Sequence, residues 1–216
     1  MKKLLLAAGV AFALLSAPLR AADYPLKAPP ALFNWTGFYV GANGGGLWGT
    51  TDQPEPDVFM NIRGSMAGGT AGYNWQAGNW VLGVEGDFDW AHMQATQFVT
   101  CGSGCTTKFD EFGSARARLG YANGMYLLYA TGGAAFTRAR IFSGSGVING
   151  PWDTTTGWTV GGGLEGALSR NWSWKIEYLF ARFDHFADAP AAIPTFASQN
   201  KFDIVRAGVN YRFGSW

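Results

Sequence analysis

The feature that most constrains this chain is a period-two alternation that recurs in short runs. In one run Trp172, Trp174, Ile176, Tyr178 and Phe180 alternate with Lys175 and Glu177. In another, Trp80, Leu82, Val84, Phe88 and Trp90 oppose Glu85, Asp87 and Asp89. Ala115, Ala117 and Leu119 oppose Ser114, Arg116 and Arg118, and Trp158, Val160 and Leu164 oppose Thr159 and Glu165. Near the end, Val205, Ala207, Val209, Tyr211 and Phe213 oppose Arg206, Asn210 and Arg212. Successive side chains of a strand point to opposite faces, so each run is a strand with one apolar and one polar face.

The connections between runs fall into two classes. Ala77-Gly78-Asn79, Ala122-Asn123-Gly124 and Ser169-Arg170-Asn171 are tight turns, rich in residues that tolerate positive φ. Thr50 to Asn61, Ala95 to Thr107, Phe142 to Asp153 and Ala187 to Gln199 are long and polar. Three turns and four loops join eight strands, expected at 35–48, 62–76, 80–94, 108–121, 125–141, 154–168, 172–186 and 200–213. The runs at 35–48, 62–76 and 125–141 are Gly/Ala-rich and leave their facing open.

A soluble sandwich also alternates. Here, however, the apolar faces begin or end in Trp, Tyr and Phe, as the girdles of a membrane barrel do, and the polar faces lack scattered lysines. Composition agrees. Charged residues make up 14%, against roughly 25% in soluble domains. Gly accounts for 31 of 216 residues and aromatics for 16%. In lipid every backbone polar group needs an internal partner, so a chain without long apolar runs crosses as a closed barrel. The expected fold is all-β, an eight-stranded antiparallel up-and-down transmembrane barrel with short periplasmic turns and long external loops.

The N-terminus is consistent with export. Lys2 and Lys3 precede an apolar run from Leu4 to Leu15, and Ser16 to Ala21 supplies small residues for cleavage. That is the layout of a secretory signal peptide, and the run is shorter than the ~20 residues of a helical span. Residues 1–21 are thus expected to be removed, which takes Lys2, Lys3 and Arg20 and moves the formal net charge from +1 to −2. Such a balance offers no basic patch for nucleic acid. Residues 22–34, with Pro25, Pro29 and Pro30, read as a periplasmic tether, residues 35–213 as the barrel and 214–216 as a C-terminal extension. The expected location is the outer membrane of a Gram-negative bacterium.

The chain resembles the small outer-membrane β-barrels of the opacity-type surface antigen and porin-like group. The resemblance rests on Trp35-Thr36-Gly37-Phe38-Tyr39-Val40-Gly41, Gly72-Tyr73-Asn74-Trp75-Gln76, Gly83-Val84-Glu85-Gly86-Asp87, Arg118-Leu119-Gly120-Tyr121, Tyr129-Ala130-Thr131-Gly132-Gly133, Lys175-Ile176-Glu177-Tyr178 and the closing Val205 to Phe213, in that order. It implies that the C-terminal strand, through Val205, Val209, Tyr211 and Phe213, is read by the barrel-assembly machinery. Gly214, Ser215 and Trp216 follow, and Trp216 has the opposite parity from Phe213, so either aromatic is a candidate for the recognised end.

The polar faces gather one candidate site. Glu85, Asp87, Glu165 and Glu177 meet Arg116, Arg118, Lys175, Arg206 and Arg212 in the lumen. An eight-stranded interior is just wide enough for side chains to fill it, and buried charges must be paired. The preferred expectation is therefore a salt-bridged, structural, surface-exposed barrel with external loops available to partners. The alternative is a narrow channel for small polar solutes.

Cys101 and Cys105 bracket Gly102-Ser103-Gly104, and an oxidising compartment favours a disulfide between them. Neither His92 nor His185 has metal-ligand spacing to the thiols. No nucleophile–base constellation is recognisable, so a lipid-modifying enzyme is the least favoured reading, with no cofactor or metal expected. Gly44-Gly45-Gly46 and Gly161-Gly162-Gly163 lack the Lys and helix of a phosphate loop. The expected partners are outer-membrane lipid and, during biogenesis, the assembly machinery. Gln53 to Asp57 and Ala187 to Ala197 name no external ligand.

Overall fold

The computed structural model describes residues 33–52, 59–97, 105–143, 153–183 and 199–213. Eight antiparallel strands close into a barrel in sequence order. They are β1 (Gly37–Asp52), β2 (Phe59–Ala77), β3 (Trp80–Gln97), β4 (Cys105–Asn123), β5 (Tyr126–Ser143), β6 (Asp153–Ala167), β7 (Trp172–Phe183) and β8 (Gln199–Arg212). The ring is completed by β1 pairing with β8, Tyr39 opposite Arg212 and Asp52 opposite Gln199. Gly78 and Gly124 open the two-residue turns β2–β3 and β4–β5 at φ 61° and 59°, the conformation a primed hairpin turn requires.

The expected strand ends need correction, chiefly on the long-loop side. β1 and β2 run on as a ladder to Asp52 opposite Phe59, and β4 starts at Cys105 rather than 108. Polar residues beyond the apolar band look like loop in sequence, but neighbouring strands hold them extended through backbone pairing. The described part of β7 runs to Phe183, and positions 184–186 of the expected strand lie outside the described residues. At the other end the barrel begins at Gly37, with residues 33–36 forming a separate turn-side segment.

The facing of the Gly/Ala-rich strands is also resolved. Tyr39, Asn43 and Leu47 of β1, Met66, Thr70 and Asn74 of β2, and Leu127, Tyr129, Thr131, Ala135 and Thr137 of β5 face the lumen. Phe38, Val40, Trp48, Trp75, Tyr126, Leu128 and Phe136 face out. Glycine makes this narrow interior possible. The ring of Tyr39 lies over Gly72, that of Tyr129 over Gly163, and the side chain of Leu127 over Gly120. A Cβ at any of the three would meet the neighbour's side chain or the adjoining backbone carbonyl at 2.6 Å or less.

The lumen has three layers. Towards the long loops, Leu47, Met66, Ala91, Met93, Phe112, Ala135, Leu179, Ala181, Phe183, Phe202 and Ile204 form an apolar cluster. The middle is a belt of charge. At the turn end, Trp35, Val81, Ala122, Leu127, Tyr129 and Ala167 form a second apolar cluster with Phe33 against it. The alternation in the sequence predicts a polar lumen, and the structure adds an apolar layer at each end of it. The inward apolar residues of the outer third extend the same parity past the charged positions, where they read as part of a loop boundary.

On the outside, aromatic residues pair in two rings, across strands except for Phe88 and Trp90, which are neighbours along β3. At the turn end the Phe38–Tyr73, Trp80–Tyr121 and Trp172–Tyr211 centroids lie 4.6, 5.6 and 5.2 Å apart. Nearer the long loops, Phe88–Trp90 and Trp158–Phe180 lie 5.5 and 5.6 Å apart. Such girdles sit at the two membrane–water interfaces.

Candidate functional site

The belt is assembled from alternate residues of five strands, plus tyrosines from β1 and β5. β3 presents Glu85, Asp87 and Asp89, β4 Arg116 and Arg118, β6 Glu165, β7 Lys175 and Glu177, and β8 Arg206, all buried. Arg116 reaches Glu85 at 2.6 Å, Asp87 at 2.8 Å and, across the lumen, Glu177 at 3.1 Å. Arg206 contacts Glu177 at 2.7 Å, Asp89 at 2.9 Å and Asp87 at 3.2 Å. Arg118 pairs with Glu165 at 2.8 Å, and Lys175 with Glu85 at 3.1 Å.

Neutral donors complete the acids. Tyr39 Oη donates to Glu85 at 2.7 Å, and accepts from Arg118 at 2.9 Å. Ser114 donates to Asp87, Ser173 and Asn210 to Glu165, and Tyr129 to Glu177. The Arg118 guanidinium also stacks 3.8 Å from the Tyr129 ring centroid. Each arginine thus serves several carboxylates, which a guanidinium fork does and a lysine does not. Because Arg116 and Arg206 join β3 and β4 to β7 and β8 through the middle, the belt braces the barrel across its diameter.

Two residues sit differently from the sequence expectation. Asp89 shares the face of Glu85 and Asp87 and belongs to the belt through Arg206, although the expected network omitted it. Arg212 is inside the lumen but apart from the belt. Its guanidinium lies over the rings of Phe33 and Trp35, at 4.1 and 4.7 Å, and donates to the carbonyls of Asn34 and Arg170. It lies six residues from Arg206, at about 3.4 Å per residue along the strand. The segment before β1 therefore folds into the turn-end mouth, with Trp35 N donating to Gln76 at 2.7 Å. Nothing in the local pattern of Phe33 and Trp35 announces this, because the contact is made by the last strand.

Several lumen oxygens lack conventional donors, among them Oδ1 of Asn74, Asp89 and Asn210. Each lies where the Cβ of a neighbouring glycine would be, over Gly83, Gly68 and Gly41 in turn. Glycine Cα–H groups supply weak contacts there, and any other residue would collide.

The remaining candidates are placed as follows. Val205, Val209 and Phe213 are exposed on the outward face at the β8 end, and Tyr211 shares that face. Phe213 N donates to Phe38 O across the seam. Trp216, Cys101, His185, Gln53 to Asp57 and Ala187 to Ala197 lie outside the described residues, and Cys105 enters only as the first residue of β4. Gly44 to Gly46 and Gly161 to Gly163 lie within β1 and β6. His92 faces outward on β3, directly opposite Ser65 of β2, and β4 has a bulge nearby at Asp110. No hydrogen bond joins His92 to Ser65 or Asp110 among the described residues. No group of three His, Cys, Asp or Glu side chains among the described residues suits a metal ion.

Comparison with known proteins agrees with this architecture. The family described as "Outer membrane protein beta-barrel domain" matches residues 8–213. The chain is 34% identical to the 31 kDa outer-membrane immunogenic protein of Brucella melitensis, over 88% of each chain. It is 28% identical to a 22 kDa outer membrane protein of Rhizobium leguminosarum, over 83% of this chain and 79% of the relative. Among solved structures, Neisserial surface protein A superposes with a TM-score of 0.52 at 15% identity, over 82% of this chain and 98% of that one, a likeness of fold.

Proposed function

This chain belongs to the outer membrane protein β-barrel family, and from that premise we propose that it is a sealed structural barrel whose external loops are its interacting surface. It is an outer-membrane protein related to surface antigens. The observation that supports sealing is the belt of interlocked ion pairs between two apolar layers. An ion crossing this lumen would have to displace paired buried charges and then pass a layer without polar partners, and each step is costly.

In the same reading residues 1–21 are cleaved on export and residues 22–34 tether the barrel on the periplasmic side. Cys101 and Cys105 form a local disulfide. The assembly machinery reads the outward face of β8 through Val205, Val209, Tyr211 and Phe213. On this reading the barrel carries no enzymatic activity: a hydrolytic Ser65–His92 pair would need a hydrogen-bonded base and an oxyanion site, and neither is assembled among the described residues.

Single-channel recording in a planar bilayer tests the proposal. The folded barrel, identified by heat-modifiable migration, is expected to be silent. Stable discrete conductance steps whose ion selectivity changes in Arg116→Ala would instead establish the narrow-channel reading. Release of fatty acid from lipid vesicles, lost in His92→Ala, would overturn the non-enzymatic one.

A further inference from the structure

One carboxylate of the belt is left short of donors. Glu85 receives Arg116, Lys175 and Tyr39, and Asp87 receives Arg116, Arg206 and Ser114. Glu177 receives Arg116, Arg206 and Tyr129, and Glu165 receives Arg118, Ser173 and Asn210. Asp89 is the acid of β3 nearest the long loops. Arg206 donates to its Oδ2 at 2.9 Å, while its Oδ1 is buried with no hydrogen-bond partner. A buried charge that is incompletely paired is costly. The balance of charge points the same way. Five acids meet four bases in the belt, and Arg212, the fifth buried base, is turned to the carbonyls of the turn-end mouth. It stands six residues beyond Arg206 on the same strand, about 20 Å away.

A second unpaired group lies beside that oxygen. Asp89 Oδ1 leans over Gly68, which stands between Asp89 of β3 and Asn43 of β1 in one row across the sheet. Gly208 flanks Asn43 on its other side, so neither neighbour of Asn43 in that row has a side chain. Asn43 is only 7% exposed, and both its amide oxygen and its amide nitrogen are buried without a hydrogen-bond partner. The amide faces the Asp89 carboxylate across the glycine without closing a hydrogen bond to it. Half a turn of the amide exchanges Nδ2 for Oδ1 with almost no change of shape. An unpaired carboxylate oxygen and an unpaired amide oxygen thus converge over a glycine floor, below the apolar layer to which Ala91 and Leu47 belong.

We propose that Asp89 Oδ1 and Asn43 Oδ1 hold one small monovalent metal cation, of the size and hardness of sodium, in the lumen over Gly68. Carboxylate and amide oxygens are hard donors, the ligands of alkali and alkaline-earth ions rather than of zinc or copper. Charge decides between those two classes. The belt lacks one positive charge, and a divalent ion would turn that deficit into an excess beside Arg206. Two protein oxygens are fewer than such an ion takes, and water completes its shell in the space that Gly68 and Gly208 leave free. The site depends on a folded lumen and not on whether the lumen conducts, so the cation test and the bilayer recording fail independently.

The test is equilibrium urea unfolding of the folded barrel, with sodium chloride replaced stepwise by choline chloride at constant ionic strength. An ion bound only by the folded state raises the folding equilibrium constant about tenfold for each tenfold rise in sodium above half-saturation. That dependence is expected in the wild type and in Glu111→Gln, whose side chain pairs with Arg138 away from the lumen. It is expected to vanish in Asp89→Asn, which keeps the shape and removes the charge. It should vanish equally in Asn43→Leu, which keeps the charge and removes the amide oxygen, and which serves alone if Asp89→Asn does not fold. Heat-modifiable migration verifies folding of each variant. A wild type indifferent to sodium would overturn the site, because water alone would then fill the space over Gly68. Sodium dependence that persists in both variants would overturn it as well. So would a stabilisation that follows pH and not sodium, because the missing charge would then be a proton.

Discussion

At the scale of single residues, the physics of this barrel turns on what occupies a narrow interior. Arg116 serves Glu85, Asp87 and Glu177 at once. Replacing it with Ala leaves three buried carboxylates under-compensated, and a loss of about 3–5 kcal/mol is expected in urea unfolding of the folded barrel. Arg116→Met combined with Glu85→Gln should recover part of that loss, because the charge is then removed in pairs; a double variant no better than the single one would show that shape rather than charge dominates. Glycines divide by face. A Cβ at Gly68 would collide with the Phe88 carbonyl and the Asp89 side chain, whereas one at lipid-facing Gly86 meets only Ser114 O at 3.8 Å. Gly68→Ala should therefore cost about 1–3 kcal/mol or more and Gly86→Ala almost nothing, measured by the same unfolding curve. The charged positions were legible from parity alone, because the period of two leaves no other face for them. The Asx side chains resting over glycines were not, since that contact depends on the register between strands.

At the scale of elements, the turns and the mouth segment act differently. The turns β2–β3 and β4–β5 were legible because Gly next to Asn states the backbone geometry locally. Gly78→Val should cost roughly 1–2 kcal/mol through its positive φ, visible as a lower midpoint of thermal unfolding with unchanged strand content. The segment Phe33–Thr36 is a different matter. It seals the turn-end mouth through Trp35, fully buried, and through the cation–π stack on Arg212 from the far end of the chain. Trp35→Ala should lower stability by about 3–5 kcal/mol and make a cysteine placed at Val81 reactive to a periplasmic thiol reagent. Labelling equal to that of the unmutated mouth would show that the segment is no stopper. Strand ends are hidden in the sequence for a related reason. Polar residues past the girdle carry no apolar signal, yet Asp52 pairs with both Phe59 and Gln199.

At the scale of the whole molecule, a layered filling replaces a core. Apolar layers close both ends of a belt in which five acids, Glu85, Asp87, Asp89, Glu165 and Glu177, meet four bases, Arg116, Arg118, Lys175 and Arg206, with Arg212 set apart below. The belt couples opposite walls, so Arg206→Ala should lower the heating temperature at which the folded band is lost on gels, as well as the urea midpoint. A normal temperature for that variant would mean that the hydrogen-bonded wall alone maintains the shape. The sequence by itself determined strand number, antiparallel order, compartment and which face of β3, β4, β6, β7 and β8 meets lipid. Those follow from local alternation and from the rule that backbone groups in a bilayer be paired. Only the closed tertiary structure decided which charges meet, that Arg212 leaves the belt for two aromatic rings, and that the lumen ends in apolar layers. The physical reason is that these contacts cross the barrel or its seam, between residues 29 to 178 positions apart, where spacing along the chain carries no information about distance in space.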